Sequence, residues 1–172
     1  MNAKYKKSLK IVTLLITAIL IATASAQVYS YMYIKGGATI TGSELEWTLG
    51  TNAPTGTSIS GYTVNDLNFS VPENTFKNFT DALRLTNNNA TSITFNLTAT
   101  ITAGSVANFT TLDLVVYDST GAREGDLSVL TQGTATDIVI TSTETLYIRF
   151  EIDPLTDATE GYIAFTITLT YS

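Results

Sequence analysis

The sequence contains no cysteine and no histidine. Without cysteine no disulfide framework can support the fold, so stability must come from a hydrophobic core, which a chain of this length can bury. The absence of histidine excludes Ser-His-Asp and Cys-His nucleophile systems, histidine general bases and ordinary zinc sites. We therefore expect a protein that is not an enzyme and that holds neither a cofactor nor a metal ion.

Basic residues are also scarce, and four of the nine lie in the first ten positions, at Lys4, Lys6, Lys7 and Lys10. An apolar run at residues 11–22 and the small residues Ala24-Ser25-Ala26 follow, which predicts a secretory signal peptide cut after Ala26. A retained membrane anchor is the alternative, because residues 11–34 lack charge and are long enough to span a bilayer. A pilin-type signal would normally show a basic residue followed by glycine before the apolar run, and Lys10-Ile11 does not match.

Cleavage would leave residues 27–172, with all 15 acidic residues, five basic ones and a net charge of −10. So acidic a surface argues against nucleic-acid and anionic-membrane partners, both of which require basic patches. The last residues include no apolar tail and no wall-sorting signal. We therefore expect a secreted, extracellular protein that is either released or held by partners.

Short apolar, Thr-rich runs separated by turn residues fill the mature chain. Residues 93–102 and 162–171 alternate between apolar and polar side chains, which predicts half-buried antiparallel strands. Further strands are predicted at residues 45–49, 67–72, 82–86, 112–117, 138–140 and 146–152, with a turn-rich loop at 50–61 and a hairpin connection at 118–126. Roughly nine or ten strands without a long helix predict an all-β fold, a jelly-roll or Ig-like antiparallel β-sandwich.

Residues 73–83 are ambiguous in this pattern. Phe76, Phe79 and Leu83 have helical spacing, and Asn74 or Thr75 could cap a short helix. A short helix is therefore one interpretation of this segment, before the strand predicted at residues 82–86.

The stretch from Gln27 to Thr41 is predicted to open the mature chain as a strand. Six apolar or aromatic residues fall within seven positions, at Val28, Tyr29, Tyr31, Met32, Tyr33 and Ile34, and the run then breaks at Gly36-Gly37. Because these residues do not alternate with polar ones, we expect both faces of the strand to need cover. The tyrosines could form a sugar-stacking strip, although burial is favoured for so apolar a strand. The predicted organisation is a signal peptide (1–26), an N-terminal strand with a glycine joint (27–41) and a sandwich domain (42–172).

Five Asn-x-Ser/Thr sequons follow this stretch, at Asn68, Asn78, Asn89, Asn96 and Asn108. None contains proline, and Asn68 and Asn96 fall on the polar faces of their predicted strands, where a glycan could project. We expect glycosylation of at least some of these sites in a host that has the machinery.

Two groups of acidic residues are candidate calcium sites: Asp153, Asp157 and Glu160, and Asp118, Glu124 and Asp126. Calcium requires six to eight oxygen ligands, and neither segment follows the EF-hand pattern. Solvated acidic loops are the better interpretation. No pair of carboxylates has a spacing that indicates glycosidase chemistry, and no helix or lysine follows Gly36-Gly37 to make a phosphate loop.

The order of these parts resembles the TasA/camelysin-like subunits of extracellular fibres, including archaeal bundling pili. The resemblance covers nearly the whole mature chain. It lies in a signal ending in small residues before QVYSYMYIKGGATITG, in the segment NFTDALRLTNNNATSITFNLTATI, and in the closing segments LYIRFEID and FTITLTY. In the second segment Phe79, Leu83, Leu85 and Asn87 precede the long alternating strand. The protease activity attached to camelysin names is not carried over, because the chain has no histidine for a zinc-protease motif.

The resemblance implies a jelly-roll subunit that polymerises by donor-strand complementation, with copies of itself as partners. In that arrangement the N-terminal strand of one subunit enters a groove in the sheet of the next, and Gly36-Gly37 acts as a joint. A head-to-tail contact that does not close produces a filament. Such filaments act in cell–cell adhesion or in a biofilm matrix and can bundle laterally.

Two other functions remain open from the sequence. A type IV pilin-like subunit would keep its N-terminal apolar segment as a helix in the filament core. A monomeric adhesive or carbohydrate-binding sandwich would fold the first strand into its own sheet.

Overall fold

A computed structural model describes residues 31–41, 44–155 and 162–171. These ranges contain eleven strands and a single 3-10 turn, Val106–Asn108. The strands are β1 Tyr31–Thr41, β2 Leu45–Leu49, β3 Ser58–Ser60, β4 Thr63–Pro72, β5 Lys77–Asn87, β6 Ile93–Gly104, β7 Phe109–Tyr117, β8 Arg123–Ser128, β9 Thr134–Ile140, β10 Thr145–Pro154 and β11 Tyr162–Tyr171. No helix within the described ranges is long and apolar enough to cross a membrane.

The strands form two sheets that pack face to face, which confirms the predicted all-β sandwich. Sheet A has the order β3-β4-β1-β11-β6-β9, and sheet B has the order β2-β5-β10-β7-β8. Alternate residues of each strand point inward, so that β10, for example, buries every second side chain from Leu146 to Pro154. The inward side chains of both sheets make one continuous hydrophobic core.

The last eight strands are nested as a jelly roll. Antiparallel pairs form between β7 and β8, between β6 and β9, and between β5 and β10. By the same nesting β4 should pair with β11, which would complete the two four-stranded sheets of a jelly roll. In this molecule β4 and β11 are not neighbours, because β1 lies between them.

Three details of the sequence prediction need correction. Residues 50–61 are not entirely loop, because they include β3. The segment at 73–83 forms no helix, because β5 already begins at Lys77; Phe79 turns inward against Phe69, whereas Phe76 stays 55% exposed. The loop predicted at 118–126 is a hairpin connection, but β8 begins within it at Arg123.

Candidate strand-docking site

The position between β4 and β11 is the candidate functional site, and β1 occupies it in the single chain. Strand β1 runs parallel to β11, in register from Tyr33 opposite Tyr162 to Thr41 opposite Thr170. It runs antiparallel to β4, from Tyr31 opposite Pro72 to Thr39 opposite Thr63. Sheet A is therefore mixed rather than purely antiparallel. Without β1, both β4 and β11 would present an unpaired edge.

Four side chains on one face of β1 are buried. Met32 and Ile34 have no exposed surface, and Ala38 and Ile40 are at most 4% exposed. Burying Met32, Ile34 and Ile40 contributes on the order of 5–9 kcal/mol before entropic costs. The opposite face is open, with Tyr33 at 58% exposure. The expectation that both faces need cover is therefore wrong for this part of the strand.

Gly36 is required by its fit against Phe165. A Cβ atom added at Gly36 would lie 2.5 Å from the Phe165 ring, closer than real Cβ contacts. That ring also contacts Phe150, at 6.0 Å between centroids, and Phe150 contacts Phe69 at 4.9 Å. The missing side chain of Gly36 thus admits a ring that links sheet A to sheet B, and it fixes the register in which β1 can lie.

Gly37 lies at an irregularity in the pairing with β4. The register shifts between Gly36 and Ala38, so that Asn65 and Asp66 both face Gly37, and Asp66 adopts a φ of 56°. Such a one-against-two arrangement is a β-bulge. Pairing with β11 continues through both glycines to Thr41. The two glycines are therefore paired strand residues in the single chain, and their role as a joint between subunits stays a prediction.

The structure describes four of the six residues predicted for the donor strand. Val28 and Tyr29 lie outside the described residues. Tyr31 begins β1, and Met32 and Ile34 face the core, whereas Tyr33 faces outward. Sequence reasoning missed Ala38 and Ile40, which extend the buried face beyond the glycines, although their alternation with Thr39 and Thr41 was a visible signal.

Buried Asn87 ties sheet B to sheet A at one end of the sandwich. Its side-chain amide donates to the backbone oxygens of Thr91 at 2.8 Å, Thr141 at 2.9 Å and Ile140 at 3.3 Å. Its Oδ1 accepts the N–H of Asn89 at 2.8 Å. Because Ile140 ends β9 and Asn87 ends β5, this single side chain joins the last strand of sheet A to sheet B.

The loop after β2 is held by Asp81 on the outside of sheet B. The Asp81 carboxylate accepts two hydrogen bonds from Arg84, at 3.0 and 2.6 Å, and two from Thr51, at 2.9 and 2.8 Å. The Arg84 hydrogen bond, assisted by those of Thr51, lowers the pKa of Asp81 to about 2. Asp81 also raises the pKa of Arg84. Gly50 is needed beside this loop, because an added Cβ would lie 2.0 Å from the Asp81 carbonyl oxygen.

The sequon asparagines differ in accessibility. Asn68 and Asn78 are exposed and line the same groove, of about 710 Å³, between β4, β5 and residues 51–55. Asn89, Asn96 and Asn108 are half-buried. The Oδ1 of Asn96 accepts the N–H of Asp137 at 2.9 Å.

The described acidic residues are not grouped as metal ligands. Asp118 accepts hydrogen bonds from the hydroxyl of Thr120 and from the N–H groups of Thr120 and Ala122, which lower its pKa. Asp126 pairs with Arg123 at 2.9 Å. No group of three or more potential metal ligands occurs among the described residues, and Asp157 and Glu160 lie outside them.

The sequence matches no family model and no curated protein.

Proposed function

We propose that this protein is a non-enzymatic structural subunit of an extracellular filament, assembled by donation of β1 from one copy to the β4–β11 site of another. The proposal rests on one observation: β1 takes the place of the β4–β11 pairing that would complete the jelly roll. The eight nested strands, β4 to β11, follow one another directly in the sequence. The position between β4 and β11 is instead filled by β1, which comes before them and is separated from β4 by β2 and β3.

The contacts of β1 suit exchange between copies. A strand bound in another copy would form the same backbone hydrogen bonds and bury the same side chains, so exchange changes the connectivity more than the energy. The Gly36–Phe165 fit would select one register of the donated strand. Secretion after cleavage at Ala26, glycosylation at the sequons and lateral bundling belong to the same proposal.

Disulfide trapping tests the exchange directly. Tyr33 and Ser70 are opposite each other on β1 and β4, and both are exposed. Antiparallel partners have Cα separations within the range of a disulfide, and the chain has no other cysteine. Co-expressed Y33C and S70C chains should yield a disulfide-linked heterodimer if β1 is donated between copies. Y33C paired with T98C on β6, two strands away from β1, is the matched control.

If disulfide trapping showed that β1 stays in its own chain, it would favour the second candidate, a monomeric secreted sandwich that binds carbohydrate. Two observations favour it: β1 lies in its own sheet, and it places Tyr33 beside Tyr162 on the open face, at 58% and 51% exposure. Aromatic side chains of this kind can stack on sugar rings. A Y33C/S70C double variant that forms only an intrachain disulfide, monomeric light scattering and glycan binding would together select this function and reject the filament.

A further inference from the structure

The last residues of β1 and the first residue of β2 lie at the same end of the sandwich, here called the Thr41 end. The N–H of Ile40 donates to the Tyr62 carbonyl oxygen at 3.0 Å, so the end of β1 lies beside the β3–β4 turn. Leu45 begins β2 opposite Asn87, and its N–H donates to the Tyr171 hydroxyl at 3.3 Å. The exit of the docking site and the start of the domain body are therefore close together.

The covalent chain limits how far these two points can separate. Thr41 and Leu45 are four residues apart in sequence, so they can lie at most about 14 Å from each other. This limit holds whether β1 is bound in its own domain or in another copy. An exchanged strand must leave the acceptor close to the point where the donor's body begins.

We infer that the bodies of two subunits that exchange β1 in this register contact each other through their Thr41 ends. This inference rests on the proposed function and names the partner of this surface, a second copy of the chain. It excludes stacking in which the Thr41 end of one body meets the opposite end of the next. That opposite end, marked by Val106 and Leu155, is about 33 Å away along strands of ten residues.

The surface at the Thr41 end has features that suit a contact. An opening of about 350 Å³ is lined by Leu45, Glu46, Gly61, Tyr62 and Asn88. Tyr62 is 45% exposed beside it. Exposed tyrosines next to a concave surface are typical anchors of protein interfaces.

Cross-linking of single-cysteine variants tests the inference on the full-length, secreted protein. Y62C reports the Thr41 end, and V106C, at a position where the native side chain is 42% exposed, reports the opposite end. The variants are assembled separately and as a mixture and are treated with a short bismaleimide. Strand exchange is measured in parallel with the Y33C and S70C chains.

We expect Y62C to give covalent dimers with itself, and the mixture to give no Y62C–V106C product. A dominant Y62C–V106C product, or no Y62C dimer, in material that does exchange β1 would overturn the inference and leave the proposed function standing. Material that shows no exchange in the Y33C and S70C test would overturn both.

Discussion

The two sheets of this sandwich differ in what holds their outer faces together. The interior strands of sheet A, β4, β1, β11 and β6, contain two charged residues, Asp66 and Lys35, whereas the three interior strands of sheet B contain seven. Sheet A carries instead a row of hydroxyl side chains that crosses all six strands, at Ser60, Thr63, Thr39, Thr168, Thr98 and Thr134.

A salt bridge and two cation–π contacts stabilise the outer face of sheet B. The Arg84 guanidinium forms a salt bridge with Asp81 and lies 5.3 Å from the centre of the Tyr147 ring. Arg149 lies 4.2 Å from the Tyr117 ring centre and donates to the Tyr117 hydroxyl at 3.0 Å. Sheet A therefore depends on the internal fit of β1, whereas sheet B has supports that pH and salt can weaken.

The largest effect is expected at Asn87, because this residue joins the two sheets. Asn87→Ala would remove the hydrogen bonds that this buried side chain makes with three backbone carbonyls and one N–H, which should lower the free energy of unfolding by about 2–4 kcal/mol. Urea denaturation measures the loss. The neighbouring Asn88→Ala is the control, since Asn88 is exposed and its amide donates to the Glu46 carboxylate at 2.8 Å. An equal loss in both variants would contradict the role of Asn87 as the link between the sheets.

A second substitution acts on sheet A alone. Gly36→Leu should overpack against Phe165 and cost about 1–3 kcal/mol in the free energy of unfolding, or displace β1 from its site. Combining it with Phe165→Ala should recover part of the loss, because the two positions share one space. The measurement is chemical denaturation together with the yield of the Y33C and S70C disulfide.

Thr39→Leu serves as the control for Gly36→Leu, because Thr39 lies on the same strand but points outward. If Thr39→Leu destabilised the protein as much as Gly36→Leu, or if Phe165→Ala failed to rescue, the close fit would not determine the position of β1.

Gly36 and Phe165 also show how far the structure could be predicted from the sequence. The alternating pattern predicted β6 and β11 with nearly the observed bounds, because each strand has one face in the core and one in solvent. It missed β3, a short edge strand, and the polar strand β8, since neither has a clear apolar face. It could not place β1 between β4 and β11, because pairing between distant strands leaves no local signal. The need for a glycine at position 36 depends on Phe165, which is also far away in sequence.

A smaller effect, specific to sheet B, is expected at Asp81. Since Arg84 and Thr51 lower the pKa of Asp81 from its ordinary 3.8 to about 2, its ionised form is stabilised by folding. This contribution is complete above about pH 4 and is lost as the pH falls toward 2. Asp81→Asn should cost about 1–2 kcal/mol at neutral pH and flatten the decline of stability below pH 4.

Asp126→Asn is the matched control for Asp81→Asn. Asp126 pairs with Arg123, but both side chains of that pair are more than half exposed. Exposed pairs contribute little, so this variant should keep both the stability and the pH profile of the parent protein. A parent-like acid profile for Asp81→Asn would show that this carboxylate does not fasten the loop after β2.

The smallest effect is expected on the hydroxyl row of sheet A. Thr168 lies at its middle, between Thr39 and Thr98, and the β-branched shape that suits the strand is shared by valine. Thr168→Val should therefore change the free energy of unfolding by no more than about 0.5 kcal/mol. Arg149→Leu on sheet B should cost about 0.5–1 kcal/mol, because it removes the contact with the Tyr117 ring. If Thr168→Val proved the more damaging change, the hydroxyl row would be stabilising sheet A from outside, and the contrast between the two faces would fail.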